Sequence, residues 1–96
     1  MLNMIKTIKP EIVNTCWGRA RGFMFSFSRK PKLFVFSRSG KYSIHMFFVF
    51  QKLKVIWLDA NKKEIYSVIA KPFGIYAPKG ENANKAKYIL EIPLGK

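Results

Sequence analysis

The stretch YSIHMFFVFQKLKVIWLD, residues 42–59, carries most of the sequence information about the fold. It is almost wholly aromatic or aliphatic, but polar residues at positions 51, 52 and 54 interrupt it. A membrane-spanning helix needs about 20 consecutive apolar residues. The longest apolar run before the interruption covers only residues 46–50. The sequence therefore argues against a membrane span and in favour of strands that build a core.

The alternation of side chains along this stretch indicates two successive β-strands. Between residues 42 and 50 the even positions are all apolar, whereas the odd positions mix polar and apolar residues. Successive side chains of a strand point to opposite faces. We therefore expect the even positions to face the core and the odd positions to face a groove, an edge or a partner. Residues 53–58 form the second predicted strand, and the bend between the two is predicted to carry Gln51, Lys52 and Lys54 into solvent.

Short runs of Val, Ile, Phe, Tyr and Trp recur elsewhere and are typical of strands. The pattern predicts a hairpin that pairs residues 53–58 with residues 64–70 across a turn at 59–62, and a hairpin loop at 38–41. Thr15 is a candidate cap for a helical turn near residues 15–21. The remaining predicted elements are strands over 1–8, 33–36 and 87–92 and a loop over 71–86. An exposed strand edge at 87–92 could pair with a second copy, but two nearby lysines and Pro93 argue against free edge pairing.

The length and composition favour one domain covering residues 1–96. With 49% hydrophobic residues, including nine Phe, the chain has the large side chains that a small core requires. The predicted fold class is all-β or mainly β. Its architecture is a compact antiparallel β-barrel or sandwich, with at most one short helical turn near residues 15–21.

The charge of the chain is strongly unbalanced. It has 18 Lys and Arg residues against five acids, for a net charge of +13. The segment between Glu11 and Asp59 contains nine basic residues and no acid. Such a field favours polyanions or anionic lipid headgroups, although bulk counterions can also neutralise a basic surface. Interleaved aromatic residues make residues 17–41 a candidate nucleic-acid surface; its predicted contacts are Arg19, Arg21, Arg29 and Lys30.

The residues needed for common catalytic and metal sites are missing from the sequence. It has no Gly-rich phosphate loop and no Cys or His pair at metal-ligand spacing. Cys16 and His45 are single residues in separate segments, and the few acids are scattered. We therefore expect no metal and no cofactor, and an enzyme is the less favoured interpretation.

The same features bear on location and assembly. Cys16 cannot form an intramolecular disulfide, which fits a reducing compartment. Lysines at positions 6 and 9 interrupt any apolar region that a signal peptide would need. We expect a cytoplasmic protein without a transmembrane segment. A monomer or a weak homo-oligomer is expected, with nucleic acid or another polyanion as a partner.

Four segments together resemble a prokaryotic family known as domain of unknown function 192. GRARGFMF at 18–25 resembles its Arg-x-x-Gly-Leu-Met-Phe signature, and KLFVF at 32–36 resembles its Met-Leu-Phe-Val-Phe strand. SIHMFFVFQKLKVIWLD at 43–59 is similar to its central block, and AKYILEIPLG at 86–95 is similar to its Ala-x-Tyr-Val-Leu-Glu-Val-Pro-x-Gly segment. The four occur in the family's order and cover nearly the whole chain. The resemblance implies a one-domain antiparallel β fold and no established activity, cofactor or substrate.

The sequence departs from the family pattern at one bend. Positions where the family carries Asn, Thr, Pro and Asp are occupied here by Phe48, Val49, Lys52 and Lys54, and the Trp position is His45. The exchange of Asp for Lys inverts a charge and favours an anion. The His-Met-Phe-Phe version is similar to archaeal members of the family.

Three functional interpretations follow from the sequence. The first is a small basic β-barrel protein that acts as a binding or accessory module. The second is a nucleic-acid-binding protein that uses residues 17–41. The third is a small-anion or enzymatic site at the bend near residues 45–54, with His45, Lys52 and Lys54 as its candidate contacts.

Overall fold

The computed structural model describes residues 10–13, 30–46 and 49–95. Within these ranges the chain is built from strands and one short 3-10 helix at Ala83–Lys85. The strands, in chain order, are β1 (Glu11–Val13), β2 (Lys32–Gly40), β3 (Ile44–His45), β4 (Lys52–Leu58), β5 (Glu64–Ala70), β6 (Ile75–Tyr76) and β7 (Ala86–Gly95). The predicted mainly β fold class is confirmed. The predictions for residues 1–8 and 15–21 lie outside the described ranges.

Five strands form the main sheet, in the order β1-β2-β7-β4-β5, and β3 pairs with β6 in a small second sheet. Strand β1 runs parallel to β2, whereas the other pairings are antiparallel. The sheet is therefore mixed, with one parallel pairing beside the antiparallel pairings that the sequence predicted. Over the described residues it is open, with β1 and β5 at its edges, and this arrangement is compatible with a sandwich-like or barrel-like fold.

The larger core lies on one face of the main sheet. Leu53, Val55 and Trp57 alternate along β4 and are at most 1% exposed. Residues of the small sheet and its flanks, including Ile44 and Met46, pack against the same cluster. Burial of these large side chains is the main stabilising contribution to a domain of this size.

A hydrogen bond joins the core to the segment before β3. The Trp57 indole Nε1–H donates to the Tyr42 backbone carbonyl at 2.7 Å. The Tyr42 ring stacks on Phe36 of β2 with a centroid distance of 3.9 Å. These contacts place β3 over the sheet although β3 itself has only two residues.

The opposite face of the main sheet carries a second buried cluster, formed by Leu33, Ile56, Leu58 and Leu90. Strand β4 therefore buries side chains on both faces from Val55 to Leu58. Strands that are buried on both faces read as continuous apolar runs rather than alternating ones. This explains the unbroken sequence VIWL at residues 55–58.

The predicted hairpin between β4 and β5 is confirmed. Leu53 pairs with Ala70 and Trp57 pairs with Tyr66 in an antiparallel register. Asp59 closes the turn, because its backbone N–H donates to the Lys63 carbonyl at 2.9 Å and its Oδ1 accepts from the N–H groups of Asn61 and Lys63 at 2.8 and 2.9 Å. An acidic residue at the first position of a turn commonly has this role.

The position of β7 corrects the expectation of an exposed edge at residues 87–92. Strand β7 lies in the middle of the sheet, between β2 and β4. Its successive residues Ile89 and Leu90 belong to the two different core clusters. A strand with apolar residues on both faces is best satisfied at the centre of a sheet, where both faces and both edges are covered.

The region 38–51 also departs from the sequence expectation. Residues 38–40 continue β2 instead of forming a loop, and β3 is a two-residue strand within the predicted long one. The even–odd pattern does not persist to its end, because Val49 is buried at 4% exposure and Phe50 is 39% exposed. Gln51 is 5% exposed, so the prediction that the bend carries it into solvent is wrong, whereas Lys52 and Lys54 are exposed as predicted.

Candidate functional site

The strand register gathers three lysines at one end of the β4–β5 hairpin. Lys54 pairs with Ile69, and Leu53 pairs with Ala70, the last residue of β5. Lys52 therefore lies at the start of β4, next to Lys71, which directly follows β5. All three lysine side chains are exposed. We call this region, together with the two phenylalanines described next, the basic end of the sheet.

Two exposed aromatic residues lie two positions from these lysines along the chain, Phe50 before Lys52 and Phe73 after Lys71. Phe50 precedes β4 and Phe73 follows β5, and their ring centroids are 6.2 Å apart in an edge-to-face arrangement. The Phe73 side chain is 58% exposed and that of Phe50 is 39% exposed. Large aromatic side chains usually lie in cores, so two exposed rings in contact with each other are candidates for ligand binding.

The backbone presents Phe73 in an unfavourable conformation. Its φ angle is +66°, in the left-handed region that bulky residues rarely adopt. Phe73 occupies the third position of a turn with Pro72 at the second, and the Gly74 N–H donates to the Lys71 carbonyl at 3.3 Å. Glycine is the usual residue at such a third position.

Hydrogen bonds to β3 and its flank hold this turn. The Met46 N–H donates to the Gly74 carbonyl at 2.7 Å, and the Phe73 N–H donates to the Met46 carbonyl at 2.8 Å. The Tyr76 hydroxyl also accepts from the Lys71 N–H at 3.0 Å. The surrounding backbone therefore imposes the conformation that exposes the Phe73 ring.

The predicted anion site near residues 45–54 is divided between two sheets. Lys52 and Lys54 lie on the same face of β4, two residues apart. His45 belongs to the small sheet, is exposed, and pairs with Ile75 of β6. Of the two apolar replacements in the family pattern, Val49 is part of the core, and Phe48 lies outside the described residues.

Of the four predicted nucleic-acid contacts, the structure describes only Lys30. Lys30 is exposed, just before β2. Arg19, Arg21 and Arg29 lie outside the residues that the structure describes.

A row of three charged residues crosses the main sheet, from the exposed Glu11 to the buried Glu91, and was not predicted from the sequence. Glu11, Lys32 and Glu91 are register neighbours on β1, β2 and β7. The Lys32 Nζ lies 4.0 Å from the Glu11 Oε2, and the Glu91 side chain is buried beside Lys32. The sequence signal for this row is a single acid within the apolar run YILEIPL at residues 88–94.

Burial changes the acid–base behaviour of Glu91. Desolvation raises the pKa of its carboxyl to about 7, and the positive charge of Lys32 acts in the opposite direction. A carboxyl with this pKa exchanges its proton near neutral pH. Because only 8% of the residue is exposed, the protonation state of Glu91 affects primarily the stability of the sheet.

Two kinds of feature are absent from the described residues. No group of three or more His, Cys, Asp or Glu side chains in these ranges could hold a metal ion. In the same part of the chain, no helix is long and apolar enough to cross a membrane.

Comparison with known proteins identifies relatives in archaea, as the His-Met-Phe-Phe segment led us to expect. A UPF0127 protein of Thermococcus sibiricus is 36% identical over 92 residues, which cover 93% of this chain and 57% of the relative. A UPF0127 protein of Pyrococcus horikoshii is 37% identical over 79 residues, covering 80% of this chain and 65% of the relative. The chain thus spans between one half and two thirds of the length of these relatives.

Solved structures share the fold. A protein of unknown function from Novosphingobium aromaticivorans matches 88% of this chain and 61% of its own, with a TM-score of 0.75 and 18% identity. A Sinorhizobium meliloti structure matches 86% of this chain and 66% of its own, with a TM-score of 0.73 and 17% identity. At these identities the likeness concerns the fold alone. The model of the DUF192 family, described as Uncharacterized ACR, matches residues 2–96, and the chain therefore belongs to that family.

Proposed function

We propose that this protein is a binding module whose ligand is a polyanion. The observation that supports this function is the excess of cations, 18 Lys and Arg against five acids. A surface with so few acidic residues attracts phosphate-rich chains and releases their counterions on binding.

The positions of the five acids increase the imbalance at the surface. Glu91 is buried, Glu11 lies beside Lys32, and the Asp59 carboxylate accepts hydrogen bonds from backbone amides of its own turn. Glu64 and Glu81 are exposed, and both lie outside the basic end. Few carboxylates are therefore placed to offset the exposed lysines.

The test is fluorescence anisotropy of labelled single-stranded and double-stranded DNA and RNA, titrated with the protein from low to physiological salt. Unlabelled heparin serves as a competitor that carries charge without bases. We expect binding to persist near about 0.15 M salt and log K to fall linearly with log salt, because each phosphate contact releases counterions. Binding confined to low salt, for every polyanion, would contradict the proposal.

Residues 17–41 are a second candidate surface for the same function. Reversing the charges of Arg19, Arg21, Arg29 and Lys30 to Glu would weaken polyanion binding if this segment makes phosphate contacts. Unchanged affinity of the fourfold variant would remove this surface and leave the basic end as the candidate site.

A further inference from the structure

We infer that the basic end binds single-stranded nucleic acid, with phosphates on Lys52, Lys54 and Lys71 and bases on the rings of Phe50 and Phe73. This inference rests on the proposed polyanion function and specifies its ligand class and its site. Three features of the basic end support it: the cation cluster, the exposed rings and the strained turn.

The three lysines form a cluster because two separate segments meet there. Lys52 and Lys54 project from one face of β4, and the β5 register brings Lys71 to the same end. Ile69, 50% exposed, pairs with Lys54 across the hairpin, and Leu94, 48% exposed, lies on β7 beside the start of β4. A phosphate backbone passing this end can contact several ammonium groups within a short length of strand.

The two rings add surfaces for base stacking, which a site made only of charged side chains does not provide. The rings of Phe50 and Phe73 are inclined to each other by 71°, so they offer differently oriented π-faces to a ligand. Every nucleobase has a π-face, and stacking on aromatic side chains is a general mode of single-strand binding. Bases of a duplex are already stacked on each other, which favours the single strand as ligand.

The strained backbone at Phe73 supports a binding site here independently of the lysine cluster. A phenylalanine at φ +66° costs free energy that a glycine in the same place would not. Because the ring is 58% exposed, burial does not compensate for this strain. Strained residues of this kind cluster at functional sites, and here the strained residue is the one that presents the ring.

Anionic membrane surfaces are the competing partner, since lysines and exposed apolar residues also bind headgroups. Nucleic acid is favoured by the character of the patch. Its two exposed rings can stack on the planar bases of a single strand, whereas a lipid headgroup such as phosphatidylserine has no π-face for them to stack on. Vesicle binding that requires Phe73, combined with oligo-dT binding that does not, would overturn the inference.

The decisive variant is Phe73→Gly, which removes the ring and relieves the turn. Its thermal stability should equal or exceed that of the unchanged protein. Its affinity for oligo-dT, measured by anisotropy near about 0.15 M salt, should fall by about 5- to 150-fold, the effect of losing one stacked base. Ile12→Ala is the matched control, because Ile12 is an exposed apolar residue on β1, at the far edge of the sheet. It should leave the affinity unchanged.

A charge variant tests the phosphate contacts. Lys52→Glu combined with Lys54→Glu should lower the salt slope by about 1.4, because each lost contact to a single strand accounts for about 0.7. The control, Lys63→Glu with Lys85→Glu, has the same change of net charge at the opposite end, where Leu58 pairs with Glu64 and Gly40 with Ala86. It should affect oligo-dT binding much less.

The outcomes separate the two proposals. If the unchanged protein fails to bind any polyanion at physiological salt, both are wrong. If it binds but both variants at the basic end match their controls, the polyanion function stands and the inferred site is wrong. Preference for duplex over single strand, or co-sedimentation with phosphatidylserine vesicles that Phe73→Gly abolishes without any loss of oligo-dT binding, would also overturn the inference.

Discussion

Glu91 is buried in the sheet, and removal of its carboxylate from water costs free energy. The residue lies in the central strand, with Ile89 and Pro93 as its neighbours on the same face, and its carboxyl is almost wholly removed from water. Lys32 stands beside it in the adjacent strand and lowers the cost of ionisation without cancelling it. At neutral pH the folded protein therefore carries this group in both protonation states, and stability depends on which state is populated.

The direction of the pH dependence follows from the raised pKa. The pKa of Glu91 rises from 4.5 to about 7 on folding, so between these values the folded state holds a proton that the unfolded state has released. Stability from this group is complete below pH 4.5 and declines until the pH exceeds about 7. The total loss is up to about 3 kcal/mol. Glu91→Gln should remove this decline, making the variant relatively more stable at pH 8 than at pH 4, as measured by urea unfolding at both values.

The comparison of the variant with the unchanged protein cancels the titration of other groups. Lys32→Met provides a second check, because removal of the nearby positive charge should raise the pKa of Glu91 further and extend the pH-dependent decline upward. An unfolding free energy difference between Glu91→Gln and the unchanged protein that is constant from pH 4 to pH 8 would contradict the assignment.

At the scale of elements, the β4–β5 hairpin is the unit whose local sequence agrees best with its structure. Strand β5 has the predicted bounds, β4 begins one residue before the predicted strand, and Asp59 closes the turn by accepting two backbone N–H groups. Lys62 adopts a positive φ of 62° in this turn, and its Nζ lies 5.4 Å from the centroid of the Tyr88 ring. A side-chain contact to the neighbouring strand thus accompanies a backbone position that would suit Gly or Asn.

Asp59→Ala should destabilise the hairpin by about 1 kcal/mol, because two turn amides lose their acceptor and are left to water. Asp59→Asn is the matched control, since its side-chain oxygen can still accept these hydrogen bonds. Urea unfolding of both variants measures the effect as a shift of the midpoint at constant slope. Equal midpoints for Asp59→Ala and the unchanged protein would show that the two contacts contribute nothing net.

At the scale of the whole molecule, charge is the property that stands out. A net charge of +13 on 96 residues makes the folded protein repel itself. Added salt screens this repulsion at a Debye length of about 10 Å in 0.1 M salt and about 3 Å in 1 M salt. The self-repulsion is a property of the total charge and does not depend on where a ligand binds.

The melting temperature should therefore rise as sodium chloride increases from about 0.02 to about 0.5 M. Differential scanning calorimetry measures this change directly. The Lys63→Glu, Lys85→Glu variant has a lower net charge and should show a smaller rise over the same range. A melting temperature that is independent of salt in both proteins would show that the charges are already neutralised locally.

The amino-acid sequence by itself determined the fold class, the β4–β5 hairpin, the exposure of Lys52 and Lys54, and membership of the family. These properties depend on local chemistry: the β-branched and aromatic composition of the strands, the turn residues between them, and short motifs in a fixed order. They can be read without knowing which strands are neighbours in space.

Tertiary structure alone decided what depends on long-range pairing. The central place of β7, the parallel pairing of β1 with β2, and the burial of Gln51 and Glu91 all result from strand order. So does the basic end, because Phe50 and Phe73 are distant in sequence and meet only through the β4–β5 register and the hydrogen bonds at Met46. Periodicity assigns a side chain to a face, but only the packing of the whole sheet determines whether that face is covered or open to a ligand.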